Sequence, residues 1–284
     1  LVLMAEAFMG YVLPWGNMSY WGAQVIISLF GAIPVIGDTL VTWVKGDFVL
    51  GDATLNRFFA LHVVALPIVL LGLVVAHIMA LHHVGSNNPD GVDIKKNKDE
   101  RGIPKDGIPF HPYYTVKDLF GVGVFLMLFA GVIFFVPTFG GLFLEPPNFT
   151  PADPLATPDH IAPVWYFTPF YSILRAITFD MLWVPAKLWG VILMFGAVAI
   201  LFFLPWLDRS PVKSIRYKGL LFKVILAVFV ASFLLLGYLG TQPPGGWRGP
   251  AALIGTILYF AFFLLMPIYS RLDKTKPVPK RVTQ

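Results

Sequence analysis

The chain has 284 residues, of which 57% are hydrophobic, 15% aromatic and 13% charged. That charge is about half the usual share of a soluble domain, so the composition excludes a water-soluble fold and points to an integral membrane protein. With no cysteine among its residues the chain can form no disulfide, ligate no iron–sulfur cluster and do no thiol chemistry, and its net charge is +5.

Six apolar stretches are each long enough to span a bilayer: residues 1–20, 58–81, 119–136, 188–207, 224–239 and 251–269. The expected fold class is an all-α integral membrane protein with six transmembrane helices. The first stretch begins at Leu1, without an initiator Met and without the basic flank or cleavage site of a signal peptide. A membrane helix needs a hydrated end, so polypeptide upstream of Leu1 is expected. Glu6 lies inside this stretch, where an ionisable group calls for either a proton-relay role or a buried partner.

The second stretch carries His62 and His77 and no other ionisable side chain. An imidazole in lipid is costly unless it holds something, and neutral imidazole is a standard axial ligand of haem iron. Fifteen residues separate the pair, roughly 22 Å along a helix, which places one near each membrane face. Fifteen steps of about 100° leave the rings about 60° apart in azimuth, so both can address one interior, and Pro67 between them can alter that offset. Two haems stacked across the bilayer would fit this pattern. The plainer alternative is that each histidine makes an interhelical hydrogen bond.

The connection 82–117 holds six Lys or Arg, the connection 207–223 five and the tail 271–284 five, so 16 of the 21 lie on one side. Lys45, Arg57, Arg175, Lys187 and Arg248 are left for the other. The positive-inside rule makes the first side cytoplasmic, or matrix in an organelle. This distribution accounts for the basic balance without a nucleic-acid partner.

Several local words then become informative together. Met9-Gly10-Tyr11-Val12-Leu13-Pro14-Trp15-Gly16-Asn17-Met18-Ser19-Tyr20-Trp21-Gly22-Ala23, Arg57-Phe58-Phe59-Ala60-Leu61-His62, Gly85-Ser86-Asn87-Asn88-Pro89 and His111-Pro112-Tyr113-Tyr114-Thr115-Val116-Lys117-Asp118 resemble cytochrome b of the quinol–cytochrome c oxidoreductase (bc1 complex, complex III). The resemblance runs along essentially the whole chain in family order. It implies the third to eighth helices of an eight-helix bundle: residues 1–89 as the end of the N-terminal haem-binding domain and 90–284 as the C-terminal domain. The second helix, upstream, would carry the two partner haem ligands. Continuity of the fourth and fifth helices, with an eighth present, favours bc1 over the split b6f arrangement.

What the resemblance implies for function is specific. Two haems b would be bound, with His62 on the low-potential iron and His77 on the high-potential iron. A spacing of 15 is one residue longer than in mitochondrial members and resembles the b6f type. Ubiquinone would be reduced on the cytoplasmic side at positions matched by His82, Ser86, Lys117 and Asp118, with a histidine beside a carboxylate as a reasonable proton donor. His83 lacks such support and reads as a surface residue. Ubiquinol would be oxidised on the opposite side, where Phe8, Gly16 and Gly22 match wall positions and Pro163, Trp165, Tyr166, Tyr171 and Arg175 match the loop between the fifth and sixth helices. Without the resemblance, Tyr171 reads equally well as an interfacial aromatic.

In Pro163-Val164-Trp165-Tyr166 the chain departs from the family's Pro-Glu-Trp-Tyr word. Val164 cannot accept a proton, so that role must pass to Tyr166 through water or to another carboxylate. The implied partners are a Rieske iron–sulfur protein, cytochrome c1, a second copy in a homodimer, and membrane lipid. The implied location is the bacterial cytoplasmic (inner) membrane, multi-pass, or the mitochondrial inner membrane. A dihaem membrane anchor of a dehydrogenase and a proton-coupled transporter are the readings that compete with it.

Overall fold

The computed structural model describes residues 1–282, which fold into helices with no strand among the described residues. In chain order these are α1 (Val2–Val12), α2 (Asn17–Leu29), α3 (Gly37–Lys45), α4 (Asp52–Ala60), α5 (Leu66–Val84), α6 (Tyr113–Phe135), α7 (Thr168–Ala176), α8 (Ala186–Ala199), α9 (Leu204–Leu207), α10 (Leu220–Gly240), α11 (Arg248–Leu264) and α12 (Met266–Leu272).

Among the described residues, four helical runs are long and apolar enough to cross a membrane: Asp52–Val84, Tyr113–Phe135, Ala186–Leu207 and Leu220–Gly240. A fifth arises if α11 and α12, bent by 61°, make one span. The bend falls at Pro267, whose ring has no N–H to give and crowds the carbonyl one turn back. The first expected stretch, 1–20, is not one helix. α1 ends at Val12 after 11 residues because Pro14 cannot continue the ladder, and Trp15 takes a left-handed φ of 53° before α2 begins.

α4 and α5 form one continuous rod, interrupted by a π-turn at Leu61–Ala65 in which the Leu66 N–H reaches back to the Leu61 carbonyl. Pro67 lies just beyond. In a regular helix its ring would press on the Val63 carbonyl, and the widened turn relieves that contact. A π-turn holds one residue more than an α-turn, so it retards the azimuth of everything past it by up to about 100°. The fifteen-residue spacing of His62 and His77 thus addresses the face that fourteen residues would reach in an unbroken helix.

Two larger apolar cores, beside a small cluster of Ala176, Leu239 and Ala252, organise the described chain. The first joins Val12, Tyr20, Ala23, Ile27, Leu50 and Phe58. The second joins Ile173, Ala197, Phe222, Leu236, Tyr259, Phe262, Phe263, Met266 and Tyr269, with α7 lying across α8, α10 and α11. α7 buries Thr168, Pro169, Ser172, Ile173 and Ala176, the stripe expected of an amphipathic helix in the outer connection. On the basic side, Arg216 and the Tyr217 hydroxyl both bond to the buried Asp90 carboxylate, and the Ser214 hydroxyl donates to the Pro89 carbonyl. The two inner loops are thereby tied together.

Candidate functional site

The imidazole of His62 is held at one nitrogen. Nδ1 lies 2.9 Å from the Glu6 carbonyl oxygen and 3.2 Å from Glu6 Oε1, both acceptors, which makes Nδ1 the protonated nitrogen and leaves the Nε2 lone pair for a metal. The ring lies against Gly10, where any Cβ would collide with it. A fixed tautomer, a side chain aimed across a bare glycine and a half-buried setting fit an axial haem ligand. Glu6 is thus paired with a histidine of the same chain, although its Oε2 is buried without a hydrogen-bond partner among the described residues. His77 lies on the regular part of α5, exposed along the helix.

On the inner side, His82 and His83 occupy the last turn of α5, and Ser86 follows Gly85. The Lys95 ammonium donates to the His83 and Val84 carbonyls at 3.3 and 2.5 Å, satisfying orphan acceptors at the helix end. Lys117 and Asp118 lie in the first turns of α6, and the Lys117 ammonium is 5.8 Å from the Tyr114 ring centroid. Among the described residues, no hydrogen bond or ion pair joins His82, Ser86, Lys117 and Asp118 to one another.

The outer side is built more tightly. Gly16 caps α2 and has no side chain to satisfy the helix's first N–H groups, so the cap comes from far along the chain: the Ser19 N–H donates to Asn148 Oδ1 at 2.7 Å. A Cβ on Gly16 would strike Asn148, so glycine is required there. The Asn17 and Ala152 N–H groups donate to the Thr150 and Trp15 carbonyls, and the Trp21 indole donates to the Asp153 carbonyl. These bonds strap segment 145–156 onto the corner between α1 and α2. Gly22 differs, since a Cβ there would make only an ordinary contact with Tyr11. Phe8 packs edge-on against Phe58, ring centroids 5.7 Å apart.

Within this corner the Tyr11 hydroxyl donates to Glu145 Oε2 at 3.1 Å, while Asn148 Nδ2 donates to both the Tyr11 oxygen and Glu145 Oε2. This triad is what reading the sequence missed. Tyr11 was visible within a recognised word, but Glu145 gave no local signal. Val164 is buried, followed by the partly exposed Trp165 and Tyr166, whose rings meet edge to face. Burial first, and then the nearby Glu145 charge, raise the Tyr166 phenol above its ordinary pKa, so it remains a neutral donor at working pH.

Pro163 precedes this word and is partly buried. Tyr171 and Arg175 already have protein partners. The Tyr171 hydroxyl donates to the Ile161 carbonyl at 3.2 Å, and the Arg175 guanidinium, stacked on the Tyr171 ring, donates to the Leu239 and Gln242 carbonyls at the end of α10. Both side chains tie the outer loop to the helices.

An all-α protein with apolar spans and an imidazole of fixed tautomer on one of them fits the class of membrane haem proteins. The N-terminal cytochrome b/b6/petB family model matches residues 1–142, and the C-terminal cytochrome b/b6/petD model matches 151–263. Cytochrome b of Allochromatium vinosum is 63% identical over the whole chain, which covers 68% of that relative. Cytochrome b of Rhodospirillum rubrum is 51% identical, with 100% of this chain and 65% of the relative covered. A solved structure described as a hyperthermophilic respiratory Complex III superposes with a TM-score of 0.83 at 38% identity, covering 96% of this chain and 68% of that one. The chain therefore spans about two thirds of the length of the relatives it matches. It belongs to the cytochrome b family of haem b electron-transfer proteins, and the transporter and dehydrogenase-anchor readings fall away.

Proposed function

We propose that this chain is the haem b subunit of a quinol–cytochrome c oxidoreductase, carrying electrons from quinol toward cytochrome c and across the membrane to quinone, coupled to proton translocation. The observation that carries the proposal is the preparation of His62, with Nδ1 engaged by Glu6 and Nε2 left open beside Gly10. Bound haem would supply one-electron redox chemistry, with His62 holding the low-potential group and His77 the high-potential one, within residues 1–89.

The chain's own side chains would do the rest. Ubiquinol would bind on the outer side against Phe8, Gly16, Gly22, Pro163 and Trp165, with the neutral Tyr166 phenol as hydrogen-bond donor. Tyr171 and Arg175 would hold that wall in place through the carbonyls they bond. On the inner side Ser86 and Lys117 would bind ubiquinone, while His82 and Asp118 would deliver protons to it. The proposed partners are a Rieske iron–sulfur protein, cytochrome c1, a second copy of the chain and membrane lipid. The proposed setting is a multi-pass position in a bacterial inner membrane.

The test is turnover in vesicles. The purified complex, given quinol and oxidised cytochrome c on the outer side, is expected to reduce the cytochrome and acidify the outer medium. Cytochrome c reduction without quinol dependence, or quinol oxidation without proton release, would overturn the proposal.

A further inference from the structure

The proposed outer site presents a chemical deficit, and one of its walls carries a group able to fill it. Quinol oxidation releases protons, and the position of this chain that aligns with the family's glutamate is Val164, apolar and buried. The triad of Tyr11, Asn148 and Glu145 lies at the corner between α1 and α2, where Asn148 abuts Gly16, a wall position of the proposed quinol site, and the strap between segment 145–156 and the start of α2 holds it there. Glu145 enters a short 3₁₀ turn, Pro146–Phe149, and its carbonyl accepts the Asn148 N–H at 3.0 Å, so backbone and side chain both fix the carboxylate. Both donors, Tyr11 and Asn148, fall on Oε2. Oε1 has no protein partner among the described residues. Tyr166, two residues after Val164, lies near enough to Glu145 for that charge to act on its phenol.

We infer that Glu145 is the proton acceptor of the outer quinol site in this chain, doing from the loop what Val164 cannot do from its own position. The inference rests on the quinol-oxidising reading above. In the step, the O–H bond of a quinol hydroxyl breaks with its electron pair left on the ring oxygen, and an O–H bond forms at Glu145 Oε1. The O–H bond of the second hydroxyl breaks likewise, its proton leaving for outer water, and the two electrons released as the ring becomes a quinone would pass singly to a high-potential iron centre on another subunit and to the haem that His62 would hold. The carboxyl proton passes to outer water, which restores Oε1. Tyr11 and Asn148 act as positioning residues, because they hold Oε2 and so aim Oε1.

The experiment uses the purified complex with its inner quinone site blocked and follows reduction of the His62 haem after mixing with ubiquinol. Glu145→Gln keeps the shape and the acceptor for Tyr11 but removes the base, and should slow the reaction on the order of 10²-fold or more. Glu145→Gln combined with Val164→Glu restores a carboxylate at the family position and should return the rate to within about tenfold of the natural protein. A rate for Glu145→Gln within about threefold of the natural one would overturn the inference. The dithionite-reduced spectrum reports assembly. If Glu145→Gln lacks haem, the double variant decides: haem and rate both regained support the role, and haem regained without rate overturns it. A natural protein whose haem quinol cannot reduce would instead defeat the quinol-oxidising reading itself.

Discussion

Val164 stands where the Pro-Glu-Trp-Tyr word implied by the resemblance has its glutamate, and its burial suits a valine as packing. A positioned general base contributes about 10²–10⁴ in rate, so an unreplaced loss would be crippling. With Glu145 in that role, Val164→Glu alone should change quinol oxidation by less than about tenfold. Tyr166→Phe should cost more, because it removes a phenol that burial and Glu145 keep protonated. Pre-steady-state reduction of the His62 haem measures both, and a hundredfold gain from Val164→Glu would mean that the natural site has no base. At the inner face, Asp118→Asn should slow reoxidation of the His77 haem by quinone and leave first-turnover quinol oxidation largely intact. Equal loss in both half-reactions would make Asp118 structural. Of these residues, Asp118 and Tyr166 stand in local words of the sequence, and His82 enters only through the resemblance. Glu145 was not legible there, because its bond to Tyr11 crosses 134 residues and no periodicity reports a contact at that distance.

At the scale of the element, the rod from Asp52 to Val84 shows how a helix accommodates an extra residue. Sequence periodicity gave the helix, both imidazoles and a disturbance at Pro67. It could not give the π-turn at Leu61–Ala65, since a widened turn depends on which carbonyl an N–H selects and leaves no mark on composition. The turn predicts an asymmetry between deletions. Removing Val64 lets the turn close to an ordinary α-turn, so both haem signals should persist. Removing Val74 from the regular part of α5 rotates His77 by about 100° relative to His62 with nothing to absorb it, and the high-potential signal should vanish. Haem content of the two purified variants checks this, and equal effects would contradict it. α1 contributes through Gly10, where a side chain would collide with the His62 ring. Gly10→Val should therefore abolish the low-potential haem while sparing the other, as read from the reduced-minus-oxidised spectrum. The same helix also shows a misreading: hydropathy ran residues 1–20 together, whereas Pro14 and the left-handed Trp15 divide them at the corner that receives the outer loop.

The whole molecule gathers polar side chains at two levels. Basic loops tied through Asp90, Arg216 and Tyr217 mark one face, and the outer corner with Glu145, Tyr11 and Tyr166 marks the other. The rod bearing His62 and His77 connects them. Composition already pointed to the membrane setting, and loop charge to an expected orientation, because lipid exposure and loop charge are properties of sequence segments. Which side chains converge at each face required the fold. The account stands on two haems, one for each imidazole, and the most direct measurement is a redox titration of the intact complex carrying His62→Leu or His77→Leu. His62→Leu should remove the low-potential component and leave the high-potential one, and His77→Leu should do the reverse. Identical losses in the two variants, or a full pair of components in either, would contradict it.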